Sequence, residues 1–158
     1  TDHLHLKLPA PDTVMAAVFA RHGKNHNIGQ GWVKGFGWRG GALASSVGHD
    51  SHNVCVVGDN GADMALAVNT LIAGEGGFAV VRDGRVLAQL ALPVAGLMSL
   101  ASAAEVDAGL RRLYDAARRV CALPSPFLQL SFLPLSVIPH LKLSDKGLVD
   151  VDRFEIIS

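Results

Sequence analysis

The dipeptide Asp83-Gly84, set between the apolar runs 78–81 and 86–92, constrains the fold more than any other feature of the sequence. Two residues that accept positive φ, placed between segments of strand composition, reverse the chain as a tight antiparallel hairpin. Further short apolar runs at 14–19, 42–47 and 54–57 read as strands of the same sheet. Between them, residues 25–41 hold six glycines around Trp32, Val33, Phe36 and Trp38, which fits a strand flanked by loops. Two stretches carry helical spacing. Asp63 is positioned to cap a helix over 64–72 that stops in Gly74-Glu75-Gly76-Gly77. Ser102 and Glu105 form a capping-box pattern ahead of Val106, Leu110, Leu113, Ala117 and Val120, so a second helix is expected to about Cys121. Pro124 and Pro126 then break the helix; 127–136 reads as a strand, and 139–152 as a loop before a short strand near 154–157. The expected class is α+β: a single domain over 1–158 with a mixed, mostly antiparallel sheet and two main helices.

Composition narrows the function classes. With 158 residues, 49% of them hydrophobic and 18% charged, the chain suits one packed core. Lys plus Arg and Asp plus Glu balance at 14 each, so no net field draws it to nucleic acid or to an anionic membrane. No apolar run approaches the ~20 residues a bilayer span requires, and no signal-peptide pattern opens the chain, so a cytoplasmic location is the expectation. Cys55 and Cys121 stand far apart in apolar surroundings and are expected to be reduced, buried thiols. The sequence opens Thr1-Asp2-His3 without a Met, as a processed chain or a piece of a longer one would.

Polar density concentrates in Gly48-His49-Asp50-Ser51-His52-Asn53, between two apolar runs. Two imidazoles three residues apart, with a carboxylate and a hydroxyl between them, suit proton transfer, metal binding or orientation of a metal ligand. The same residues also suit a polar turn whose Asp and Asn satisfy local backbone groups. His22-Gly23-Lys24-Asn25-His26-Asn27 is a second polar segment, in which glycine permits close approach of a ligand and Lys24 offers a charge; a solvated loop is its plainer reading. His3-Leu4-His5 has the His-x-His form of a metal hydrolase strand but stands at the extreme amino end, where a tail or edge strand is expected. Lys34-Gly35-Phe36-Gly37 departs from an RNA-recognition motif at Trp38-Arg39, and no dinucleotide loop, nucleophile elbow or His-x-Glu with Pro-Cys-x-x-Cys zinc deaminase pattern is present.

Arg21-His22-Gly23-Lys24, the glycine-rich stretch 29–37 and above all residues 48–53 resemble the carboxyl-terminal region of the amidohydrolase-type adenine deaminases of bacteria and archaea. The resemblance continues through Gly58, Asp63-Met64-Ala65-Leu66-Ala67, Gly76-Gly77, residues 92–99 and residues 142–148, and so spans nearly the whole chain from about Val14. It implies hydrolysis of adenine to hypoxanthine and ammonia at a manganese or iron centre held by an amidohydrolase barrel that is not in this chain. It further implies adenine and that barrel as partners, within a homo-oligomer. On this reading His49, Asp50 and His52 are supporting catalytic residues, with Ser51, Asn53, His22 and Lys24 on the substrate side. Two alternatives stand beside it: an assembly module that never touches adenine, and a free-standing domain with its own metal at His49 and His52.

Overall fold

A computed structural model describes residues 10–157, so His3 and His5 lie outside the described residues. The elements in chain order are β1 (Thr13–Phe19), β2 (Ile28–Lys34), β3 (Ala42–Ser45), β4 (Val54–Gly58), α1 (Gly61–Ala73), β5 (Gly77–Arg82), β6 (Arg85–Ala91), α2 (Ala103–Ala117), α3 (Pro126–Phe132), β7 (Leu141–Ser144), β8 (Gly147–Asp150) and β9 (Glu155–Ile157). The first six strands form one sheet in the order β2-β1-β4-β3-β5-β6; β7-β8-β9 form a second, small sheet. The α+β expectation holds, and every pairing between these strands is antiparallel.

The sheet is buried on both faces at its centre, where every residue of β3 and β4 is buried. On one face Ala42, Ala44, Val54, Val56, Ala79 and Val81 meet Met64, Ala67, Val68 and Leu71 of α1. On the other, Val14, Val18, Leu43, Val57 and Val80 meet Leu113 and Ala117 of α2, Phe127 and Leu130 of α3, and Leu143 of β7. Two-sided burial explains why 42–45 and 54–57 read as unbroken apolar runs with no alternation.

Local chemistry fixes the ends of these elements. Asp83 and Gly84 both take positive φ, +53° and +70°, and close the β5–β6 hairpin as the dipeptide predicts. The capping box of α2 is present in full, with Ser102 Oγ accepting from Glu105 N and the Glu105 carboxylate accepting from Ser102 N at 2.8 Å. The Ser102 hydroxyl also donates to the Glu105 carboxylate at 2.6 Å, and this bond, together with that from Ser102 N, holds the carboxyl below its ordinary pKa. Both cysteines are free and buried, as composition suggests.

Four expectations need correction. The cap of α1 is Asn60, whose side chain accepts from Asp63 N at 2.8 Å. Asp63 itself turns inward: its carboxylate accepts from Asp83 N (3.0 Å), Gly84 N (2.8 Å) and Asn60 Nδ2 (3.1 Å), tying α1 to the hairpin turn. Where 127–136 reads as a strand, residues 126–132 form α3, because Pro126 occupies the first turn and Phe127, Leu130 and Ser131 fall on one inward helical face. A short apolar run does not by itself separate the two periods. Finally, 141–150 is the β7–β8 hairpin, turning at Asp145-Lys146, and α2 ends at Ala117, the chain turning on through the bond from Val120 N to Ala117 O.

Two outcomes follow from this packing. Asp63→Ala strands two backbone N–H groups and an amide, and is expected to lower unfolding free energy by about 3 kcal/mol in a denaturant titration. Burial pushes the Cys55 thiol from 9.0 up to about 12, so the folded state keeps a proton that the unfolded chain releases. Stability is therefore complete below about pH 9 and falls as pH rises toward 12, and Cys55→Ala should flatten that alkaline loss in melts across this window.

Candidate functional site

The 48–53 loop joins two fully buried strands, and its shape comes from long-range hydrogen bonds. Arg21, just beyond β1, donates from Nε to His52 O at 2.8 Å and from Nη2 to Ala95 O at 2.9 Å, while its backbone N–H donates to Asn53 Oδ1 at 3.3 Å. Partial burial lowers the Arg21 pKa. Ala95 is held in turn: buried Ser46 Oγ donates to Gly96 O and accepts from Gly77 N, both at 2.7 Å. Gly96 has φ +73°, and a Cβ there would run into the Arg21 guanidinium, so glycine is required both for conformation and for space. His22 adds a bond from Nε2 to Ser51 O at 2.6 Å, and Asn53 Nδ2 donates to Asp145 Oδ1 at 3.3 Å.

Within this frame the predicted residues divide. Asn53 is buried and structural, clamped between Arg21 and Asp145. His22, Lys24 and Ser51 line one cleft with Asn53 and Asp145, so the two polar segments do converge. Asp50 and Ser51 are exposed at the loop tip. His49 is turned to the other side, its ring stacked on Phe132 of α3 with centroids 4.5 Å apart. His52 has φ +50° and its Nδ1 accepts from Gly48 N at 3.3 Å. A backbone N–H can only donate, so neutral His52 carries its proton on Nε2 and presents a hydrogen-bond donor outward.

That donor arrangement bears on metal binding. Ligation through Nε2 would require the proton on Nδ1, in conflict with the Gly48 N–H. His49 and His52 do not converge with a third ligand; among the described residues no group of three or more His, Cys, Asp or Glu is placed to hold an ion. The side chains of this loop therefore do not fit a manganese or iron centre of their own.

The cleft encloses about 170 Å³. Ligand pockets that bury a small molecule run to about 300 Å³ or more. Its surface is thus part of a wall, carrying the Lys24 ammonium and the Ser51 hydroxyl as donors beside the Asp145 carboxylate. Arg21, Asp145 and Ser46 are the residues that sequence reasoning missed as site builders. Their partners lie 31 to 92 positions away in the chain, where no spacing rule reaches.

A mostly antiparallel α+β domain with this polar wall matches the family model of the adenine deaminase C-terminal domain over residues 2–155. The chain belongs to that family. It is 56% identical to an adenine deaminase of Methylobacterium nodulans and 55% identical to adenine deaminase 1 of Rhizobium meliloti, over 99% of this chain and 30% of each relative. An adenine deaminase of Brucella abortus is 56% identical over 92% of this chain and 25% of its own length. The chain thus spans less than a third of the curated relatives it matches.

Arg21→Lys keeps the charge but cannot span His52 O and Ala95 O as the guanidinium fork does. We expect a loss of about 2 kcal/mol in thermal or denaturant unfolding, together with faster amide hydrogen exchange across residues 48–53.

Proposed function

We propose that this chain acts as the carboxyl-terminal domain of a cytoplasmic adenine deaminase, which hydrolyses adenine to hypoxanthine and ammonia on a manganese- or iron-bearing amidohydrolase barrel. In this reading the domain supplies a wall of the substrate enclosure and none of the metal ligands. The observation that carries the proposal is the 48–53 loop: Arg21 and His22 hold its carbonyls while, among the described residues, His52 Nε2, the Ser51 hydroxyl and the Lys24 ammonium form no hydrogen bond. A solvated turn needs no such clamp. Prepositioned donors lose little freedom when they engage a purine's ring nitrogens or the water network around the reacting carbon. In this reading His49, stacked on Phe132, props the loop against α3, and Asp50 stands exposed at its tip.

Hydrolytic deamination needs a nucleophilic water, which the metal supplies when bound, and a route for the proton delivered to the leaving ammonia. The chain's own share is to hold hydrogen-bond donors at fixed positions and to exclude bulk water from the barrel mouth.

The test uses an intact enzyme in which this chain replaces the matched segment of the Methylobacterium nodulans protein. His52→Ala should lower kcat/KM for adenine about tenfold, as loss of an orienting contact near a metal centre does, with the sedimentation profile unchanged. Unchanged turnover with weakened assembly would instead identify an assembly module. Supplied with adenine and manganese, this chain alone should give no hypoxanthine.

A further inference from the structure

The β1–β2 end of the main sheet is covered on one face and partly open on the other. Opposite residues of β1 and β2 share a face, so the register Phe19↔Ile28, Ala17↔Gln30, Met15↔Trp32 places Ile28 and Trp32 on the α1 side. The pairing Phe19↔Val54 and Ala17↔Val56 confirms that side, because Val54 and Val56 pack against α1. Yet α1 lies over β3, β4 and β5 and does not extend across β2. Ile28 is left 50% exposed and Trp32 49% exposed, beside half-buried Met15 and Phe19. Ile72, exposed at the end of α1, shares a shallow apolar hollow with Val54 and extends the patch.

The opposite face of β2 is built in the reverse sense. Gly29 and Gly31 point there, and the β7–β8 hairpin seats on them so closely that a Cβ at Gly29 would collide with the Ser144 carbonyl. Glycine therefore lies where β2 is covered, and Ile and Trp lie where it is open. That open face alternates Ile28 and Trp32 with exposed Gln30 and Lys34, so its apolar content is concentrated at Ile28 and Trp32. β2 is moreover an edge strand, and an unprotected edge with apolar side chains is the arrangement that folded proteins cover.

From these observations we infer that the α1-side face of β1 and β2, centred on Trp32 and Ile28, is the docking surface for the remaining polypeptide of the longer adenine deaminases. Matched relatives devote 30% of their length to this domain, so most of their chain lies elsewhere and must contact it through some face. The patch also adjoins the polar cleft, since Ile28 and Phe19 close the β1–β2 end from which Arg21, His22 and Lys24 project. Apolar contact through Trp32 and Ile28 thereby brings the 48–53 loop to the rim of the interface. The inference rests on the proposed function for the identity of the occupant, and it names the face.

Hydrogen exchange of this chain alone, compared with the intact chimaeric enzyme, tests it. Amides of residues 28–34 should exchange at least tenfold more slowly in the intact enzyme, and Trp32→Glu should abolish that difference while leaving the circular-dichroism spectrum of the isolated chain unchanged. Should Trp32→Glu unfold the isolated chain, the paired Trp32→Gln and Ile28→Gln variants provide the same reading. Equal exchange of 28–34 in both forms overturns the inference, as does an isolated chain that sediments as a dimer split by Trp32→Glu. If 28–34 is unprotected but His52→Ala still lowers turnover, the face is wrong and the proposed function stands. Protection of 28–34 with full turnover by His52→Ala leaves the face and removes the proposed function.

Discussion

Two-sided burial of β3 and β4 is the constraint on which the rest of the structure depends. Alanines at 42, 44, 67 and 79 let α1 approach one face closely, while larger residues such as Leu43, Val57 and Leu113 fill the space between the other face and α2. Because these strands are central, the loop joining them emerges from the fully buried middle of the sheet. A polar segment there is positioned by a scaffold, unlike one at a chain end. The same core decides what remains uncovered, since a single thirteen-residue helix cannot span six strands. It covers β4, β3, β5 and part of β6 and leaves Ile28 and Trp32 of β2 exposed.

The second organising interaction is the Arg21 fork. Through His52 O and Ala95 O it links the β3–β4 loop to the turn after β6, and Ser46 ties that turn back to β5. A charged donor to two carbonyls is stronger than neutral hydrogen bonds, and its partial burial raises the cost of leaving either carbonyl unmet. The loop consequently holds His52 in a left-handed backbone conformation that a non-glycine residue adopts under surrounding restraint. Such strain is consistent with a loop shaped for contact rather than for chain reversal alone.

Family membership and geometry both support the proposed division of labour. The relatives that carry the deaminase name are about three times as long as the matched segment, and the segment brings no metal cluster among its described residues. What it brings is a rigid polar wall beside an apolar sheet face. The free-standing metal reading of His49 and His52 loses its footing because one ring stacks on Phe132 and the other uses its Nδ1 to accept from the backbone.

Sequence by itself determined the α+β class, the Asp83-Gly84 hairpin, the boxed start of α2 and the polar loop at 48–53, because each depends on residues within a few positions of one another. It also marked His22 and Lys24, which the fold brings to the same cleft as Ser51 and Asn53. Tertiary structure alone decided that 126–132 is helical, that Asp63 serves a turn twenty residues away, that His49 faces α3 and that Arg21 and Asp145 build the site. Each of those outcomes turns on burial or on a partner remote in the chain, and periodicity and spacing carry no information about either.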